Sequence, residues 1–274
     1  MRKFTLGLAV MAAVALIAFP ASAQESGGKV TVVHGIPGLT VDVFVNGELT
    51  LPGFEPGDVA GPLDLPAGDY ALAIAPEGAG IDAAVLTGSA AVTDGLNASI
   101  VAYLSEMGDP GIAIFVNDTS TIAAGSSRLV VRHTAAAPAV DILLADGTAL
   151  FEGITNFANG EPFEGQADVP AGSYDVRIAP AGAGVEAAVF SADGVELPEG
   201  TARIIYATGD LAGGSFALVI QDIAGLHSTP EEVPTGAALP AGGFPLWAMV
   251  AAGLVLVGAA GVSLPKLAAR RSSR

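Results

Sequence analysis

The sequence predicts an all-β protein: two tandem immunoglobulin-like β-sandwich domains between an N-terminal signal peptide and a C-terminal transmembrane helix. Three observations predict it. One long stretch is spelled twice, short apolar runs of period two alternate with turn signals, and an uncharged apolar run lies near each end of the chain.

The repeat sets the domain organisation. "LPAGDYALAIAPEGAGIDAAVL" (65–86) returns as "VPAGSYDVRIAPAGAGVEAAVF" (169–190), at an offset of 104. Upstream, "VVHGIPGLTVDVFVNG" (32–47) answers to "VVRHTAAAPAVDILLADG" (130–147), which pairs His34 with His133 and Asp42 with Asp141 at an offset of 99. Downstream, "ASIVAYL" answers to "ARIIYAT" and aligns Tyr103 with Tyr206. Two domains follow, 28–121 and 127–224, each of a size that supports its own core.

Within each copy the period is two. Tyr70, Leu72 and Ile74 point to one face and Asp69, Ala71 and Ala73 to the other; the second copy keeps Tyr174, Val176 and Ile178 inward and places Asp175 and Arg177 outward. Half-buried strands have this pattern. Similar runs occur at 29–34, 40–45, 59–65, 83–87, 98–104 and 111–117, with turn signals at Asn46-Gly47, Pro52-Gly53 and Asp94-Gly95. So many short strands in about 100 residues predict an immunoglobulin-like sandwich.

Pro66-Ala67-Gly68-Asp69-Tyr70 and its copy ending in Tyr174 read as tyrosine corners: Pro fixes a turn, Gly supplies a left-handed position, and the ring packs inward while its hydroxyl bonds back to the loop. "APEGAG" and "APAGAG" are then turns leaving the strand. A phosphate loop needs a following helix and a Lys-Ser/Thr pair, and neither is there.

"VVHGIPGLTVDVFVNG", "LPAGDYALAIAP" and "IAIFVND" resemble the tandem modules of the bacterial family domain of unknown function 4397. In that family a strand ending in His leads through a Pro-containing loop to Val-Asp-Val, and a Pro-Ala-Gly-x-Tyr turn follows. The likeness covers nearly all of 29–222. It implies an exported all-β module, often carrying signal peptides and surface anchors, and no activity comes with it.

The two ends set the expected address. Arg2 and Lys3, the apolar "LGLAVMAAVALIAF" and the small-residue Ala21-Ser22-Ala23 predict a signal peptide over 1–23. "FPLWAMVAAGLVLVGAAGVSL" begins at Phe244 and at about 1.5 Å per residue reaches roughly 30 Å, so 244–265 is read as a transmembrane helix. Lys266, Arg270, Arg271 and Arg274 make 266–274 a basic cytoplasmic tail by the positive-inside rule. The Pro- and Glu-rich 225–243 is a stalk. Its last five residues, Leu239, Pro240, Ala241, Gly242 and Gly243, together with the span and tail resemble a sorting signal read by sortase transpeptidases, whose pattern has Thr where Gly242 stands. Covalent wall linkage and plain membrane tethering both remain open on these residues.

Charge narrows the partners. The segment between signal peptide and anchor holds all 28 acidic residues but only five of the 11 basic ones, a net of −23. That field repels nucleic acid and anionic headgroups. With no cysteine, stability rests on packing without disulfides. Three histidines make a zinc site improbable, and no calcium loop motif is present; Asp58, Asp64, Glu77 and Asp82 are read as solvated acidic surface. No cofactor is expected. Asn97-Ala-Ser99 and Asn117-Asp-Thr119 are read as chance matches to the glycosylation pattern.

His34 with Asp42 and His133 with Asp141 are the doubled ionisable pairs. A His beside a carboxylate orients a general base, which admits a surface hydrolase. No nucleophile elbow accompanies them, and the pair is duplicated. A structural role is therefore favoured, with Asp accepting loop N–H groups and His holding the strand end. The leading expectation is a non-enzymatic surface protein acting in adhesion, envelope structure or binding of a glycan or protein ligand; the alternative is the hydrolase.

Overall fold

The computed structural model describes residues 27–156 and 164–227. The expected signal peptide, sorting signal, transmembrane helix and basic tail lie outside these residues, as does the stalk from 228 onward. Among the described residues no helix is long and apolar enough to cross a membrane.

The first body contains β1 (Gly27–His34), β2 (Val41–Val45), β3 (Glu48–Phe54), β4 (Val59–Pro66), β5 (Gly68–Pro76), β6 (Leu86–Val92), β7 (Asn97–Leu104) and β8 (Pro110–Val116). They form two four-stranded sheets of order β4-β1-β7-β8 and β3-β2-β5-β6. The second body repeats the plan with β9 (Ser126–His133), β10 (Val140–Leu144), β11 (Ala149–Ile154), β12 (Glu164–Pro170), β13 (Gly172–Pro180), β14 (Phe190–Leu197), β15 (Ala202–Thr208) and β16 (Ala217–Ile223), in the orders β12-β9-β15-β16 and β11-β10-β13-β14.

Both bodies are thus sandwiches, but their strand order is not the immunoglobulin one, which splits seven strands as ABED and CFG. Here β1 pairs parallel with β7, and β9 with β15. The cause is the route of the chain at Pro66-Ala67-Gly68: β4 ends in one sheet and β5 begins in the other after the single intervening residue Ala67. Gly68 does not occupy a left-handed conformation, so the expected turn is an extended crossover. Two further expectations shift. Pro52-Gly53 lies inside β3, where Gly53 at φ 59° accompanies an irregular register, and the run at 83–87 is a short 3-10 turn (Ile81–Ala83) followed by β6. The start of the expected stalk also belongs to the fold: Leu226 N–H donates to Gly200 O, and Leu226 O accepts from Ile122 N–H.

Each sandwich buries its own interior. Leu72, Val92 and Ile100 pack with Val30, and Val41, Phe54 and Ile74 with Ala102, in the first; Leu129, Val131, Ile142, Ile178 and Leu197 fill the second. A third core joins them. Val33, Val101, Ala113 and Phe115 of the first body interdigitate with Val130, Ile204, Tyr206 and Val219 of the second. Sheets β4-β1-β7-β8 and β12-β9-β15-β16 therefore meet face to face and are covered on both sides. That is why "SIVAYL" and "RLVVRH" lack clean alternation, as strands buried on both faces do. Both bodies belong to one compact unit.

Most polar groups trapped in this joint are paired; the exception is Asn156 Oδ1, which is buried without a partner while its amide nitrogen donates to Leu104 O and Ala135 O. Ser99 Oγ donates to Gln221 Oε1 at 2.9 Å, and Tyr206 donates to the same oxygen at 2.7 Å. Arg132 donates to the Tyr206 hydroxyl at 2.9 Å and to Glu164 at 2.7 Å, with its guanidinium 4.3 Å from the Phe115 ring centroid. Asn117 Nδ2 donates to Ser99 Oγ and to Asn97 Oδ1, so both candidate glycosylation asparagines are tied into the joint. Burial raises the Tyr206 phenol above its ordinary range, so it stays protonated and donates.

Candidate functional site

The His and Asp positions sit where β1 and β9 end and β2 and β10 begin. The His34 Nε2 lies 2.8 Å from Leu39 O and that of His133 lies 3.0 Å from Pro138 O. A carbonyl can only accept, so Nε2 carries the proton in both rings. Each ring clamps the loop that follows its strand, and His34 also stacks on Phe54 at 5.9 Å. Desolvation lowers both pKa values and outweighs the opposing pull of the backbone carbonyls and of Asp58 and Glu106. Both imidazoles are therefore neutral near pH 7.

The carboxylates are committed elsewhere. Asp42 accepts Gly53 N–H on Oδ1 and Gly78 N–H on Oδ2, both at 2.9 Å; Asp141 accepts Gly153 and Gly182 N–H, both at 2.7 Å. Each Asp thereby fastens an irregular edge strand and the turn after β5 or β13 to the strand between them. Among the described residues no hydrogen bond or ion pair joins His34 to Asp42 or His133 to Asp141. The dyad required by the hydrolase reading is not assembled.

The tyrosine corners are present in a modified form. The Tyr70 hydroxyl donates to Pro66 O at 2.8 Å and that of Tyr174 to Pro170 O at 2.7 Å, closing the sheet-to-sheet crossover. Both rings pack on the interior of their sandwich.

All five Lys and Arg side chains among the described residues are ion-paired: Lys29 with Asp64, Arg128 with Asp118 and Asp168, Arg132 with Glu164, Arg177 with Asp193, and Arg203 with Asp222. Recognition of an anion would have to break one of these pairs. Among the described residues no group of three or more His, Asp or Glu side chains is placed to hold a metal ion.

The two sandwich interiors differ in a way the repeat conceals. Inside the first is an apolar cavity of about 260 Å³; the corresponding space in the second is about 30 Å³. Strand register identifies the cause. Leu51 faces Val43 where Phe151 faces Ile142, and Thr50 precedes it where the second copy has Leu150. Ala90 stands opposite Tyr70 where Val195 stands opposite Tyr174, and Leu86 opposite Ile74 where Phe190 stands opposite Ile178. Each change removes volume from the first sandwich. In the second, the Phe151 ring lies against Gly165 so closely that a Cβ there would fall 2.7 Å from it, which seals β11 against β12. At about 24 cal/mol per Å³, a dry void of the first sandwich's size costs several kcal/mol.

The fold and these sites define a double β-sandwich with a hollow first module. Residues 28–143 match the family described as Domain of unknown function (DUF4397). The match spans the whole first sandwich and runs into β10 of the second. No curated protein matches the chain.

Sequence reasoning placed the His and Asp residues and the tyrosines correctly in the repeat, but missed the residues of the joint and the cavity. The equivalence of Leu51 with Phe151, and so of Thr50 with Leu150, comes from strand register; the offset of 99 that pairs Asp42 with Asp141 sets Leu51 against Leu150 instead and hides the difference.

Proposed function

We propose that this is an exported, surface-anchored bacterial protein whose two sandwich modules form a non-catalytic body for ligand binding, adhesion or envelope structure. The observation that carries the reading is that Asp42 and Asp141 accept from backbone amides and the Nε2–H of His34 and of His133 donates to a backbone carbonyl in both copies, while the remaining ring nitrogen faces Ile36 N–H in His34 and is enclosed without a partner in His133. A catalytic base needs a free lone pair aimed at a substrate. The absence of an unpaired cation among the described residues agrees with a partner that is not a polyanion.

Anchoring rests on the terminal segments of the sequence. Wall linkage by a sortase at Leu239–Gly243 and simple tethering through 244–265 make different predictions. Fractionation of cells expressing the full chain separates them: release by detergent indicates a retained membrane helix, and release only by wall-degrading enzymes indicates covalent attachment. Recovery in the cytosolic fraction would overturn export. Purified full-length protein is expected to show no ester, peptide or glycan hydrolysis. An activity abolished by His34→Gln and His133→Gln together, with folding intact, would restore the hydrolase reading.

A further inference from the structure

We propose that the interior of the first sandwich is a binding site for a small apolar molecule with an uncharged polar end, of the class of medium-chain aliphatic alcohols and neutral lipid fragments. The proposal deepens the reading of the chain as a non-catalytic module and rests on it.

The wall of the cavity is almost wholly aliphatic, from Val43, Leu63, Leu65, Leu72, Val92 and Ile100. A single aromatic ring occupies a cavity of about 150 Å³; 260 Å³ takes a larger ligand, short of a full lipid. Apart from His34 and Tyr70, which donate to Leu39 O and Pro66 O, the polar lining lies on one side. Asn46, Glu48 and Thr50 are exposed lining residues on β3 and the turn before it, and half-buried Leu63 and Leu65 of β4 line the same space from the opposite sheet. The mouth thus lies along the β3 edge, where the second copy carries the Leu150 and Phe151 plug.

The mouth also sets the polar end of the ligand. Glu48 is the charged lining residue, and no Lys or Arg lines the cavity. In a segment with a net of −23, a fatty carboxylate would be repelled at the entrance, whereas a hydroxyl can bond Thr50 or Glu48. Tail burial supplies affinity, and the two or three polar groups at the rim supply orientation.

The test uses the full chain in isolated membranes and a neutral diazirine-bearing aliphatic alcohol as photolabel, with adducts mapped by mass spectrometry. Mapping separates interior labelling from labelling of the apolar C-terminal segment. The expected result is adducts on cavity residues of the first sandwich, none on the equivalent positions of the second, and competition by unlabelled decanol but not by decanoate. The double substitution Thr50→Leu and Leu51→Phe copies the plug of the second module into the first. It should reduce interior labelling at least about tenfold, the loss for about 1.4 kcal/mol of denied contact, while labelling elsewhere and the circular dichroism spectrum are unchanged. A second variant, Ala90→Val, narrows the cavity from the opposite sheet and should reduce labelling in the same sense if the first variant does not fold. Equal labelling of both sandwiches, or interior labelling unaffected by either variant, would overturn the proposal. Competition by decanoate equal to that by decanol would overturn the assignment of an uncharged end. None of these outcomes alters the fractionation and hydrolysis results on which the broader reading depends.

Discussion

Ser99 in the first sandwich donates its hydroxyl to Gln221 Oε1 in the second at 2.9 Å, and both side chains are buried. Because Tyr206 donates to the same oxygen, one amide holds two hydroxyls within the joint between the sandwiches. Buried donors that lose an acceptor cost about 1–3 kcal/mol each. Gln221→Ala should therefore destabilise the protein by about 3 kcal/mol in urea unfolding, and Ser99→Ala in the same background should recover part of the loss by removing one orphaned donor. A loss below about 0.5 kcal/mol would mean that water replaces the amide.

Ion pairs of like chemistry should differ widely in worth. The Arg132 side chain is 1% exposed and pairs with Glu164, Tyr206 and the Phe115 face, whereas Lys29 and Asp64 are 53% and 80% exposed. Breaking a buried pair costs about 3–5 kcal/mol and an exposed one typically less than about 1 kcal/mol. Arg132→Met should lower the thermal midpoint by many degrees, and Lys29→Met should leave it nearly unchanged. Equal effects would contradict the burial of the joint.

Stability should fall on mild acidification. Burial lowers the pKa of His34 and His133 below the ordinary 6.5. In that case the unfolded chain binds more protons than the folded one below pH 6.5, so the stabilisation is complete above that value and declines as pH drops through it. Denaturant midpoints at pH 7.5 and 5.5 should differ for the wild type, and the difference should shrink in His34→Gln, whose amide can still donate to Leu39 O. An unchanged midpoint in the wild type would place both rings in contact with water.

The sandwiches should not separate cleanly. Cutting the chain after residue 121 exposes Val33, Val101, Ala113 and Phe115 together, a contiguous apolar face of the kind that drives association. The isolated first module is expected to aggregate or to bind apolar dyes, and polar substitution of Phe115 and Val101 should restore solubility. A monomeric, cooperatively folding fragment without those changes would show that the joint is dispensable.

Much of this was legible in the chain. The repeat gave two bodies because similar sequences meet similar constraints, and period-two patterning gave most strands. The duplication of Asp42 and His34 without a nucleophile led to the expectation of a structural role, and the structure places both in backbone hydrogen bonds. Strand partners were not legible: alternation tells which face a residue takes, not which neighbour it pairs with, so the crossover at Ala67 and the parallel β1–β7 pair gave an order unlike the immunoglobulin one.

By itself, then, the sequence determined composition, charge and the paired modules, because these depend on local spacing and residue type. Only the tertiary structure decided that the modules share a third core and that one is hollow. Both depend on how side-chain volumes from distant strands sum in one space: Phe151 against Gly165 closes the second interior, and Leu51 with Thr50 leaves the first open.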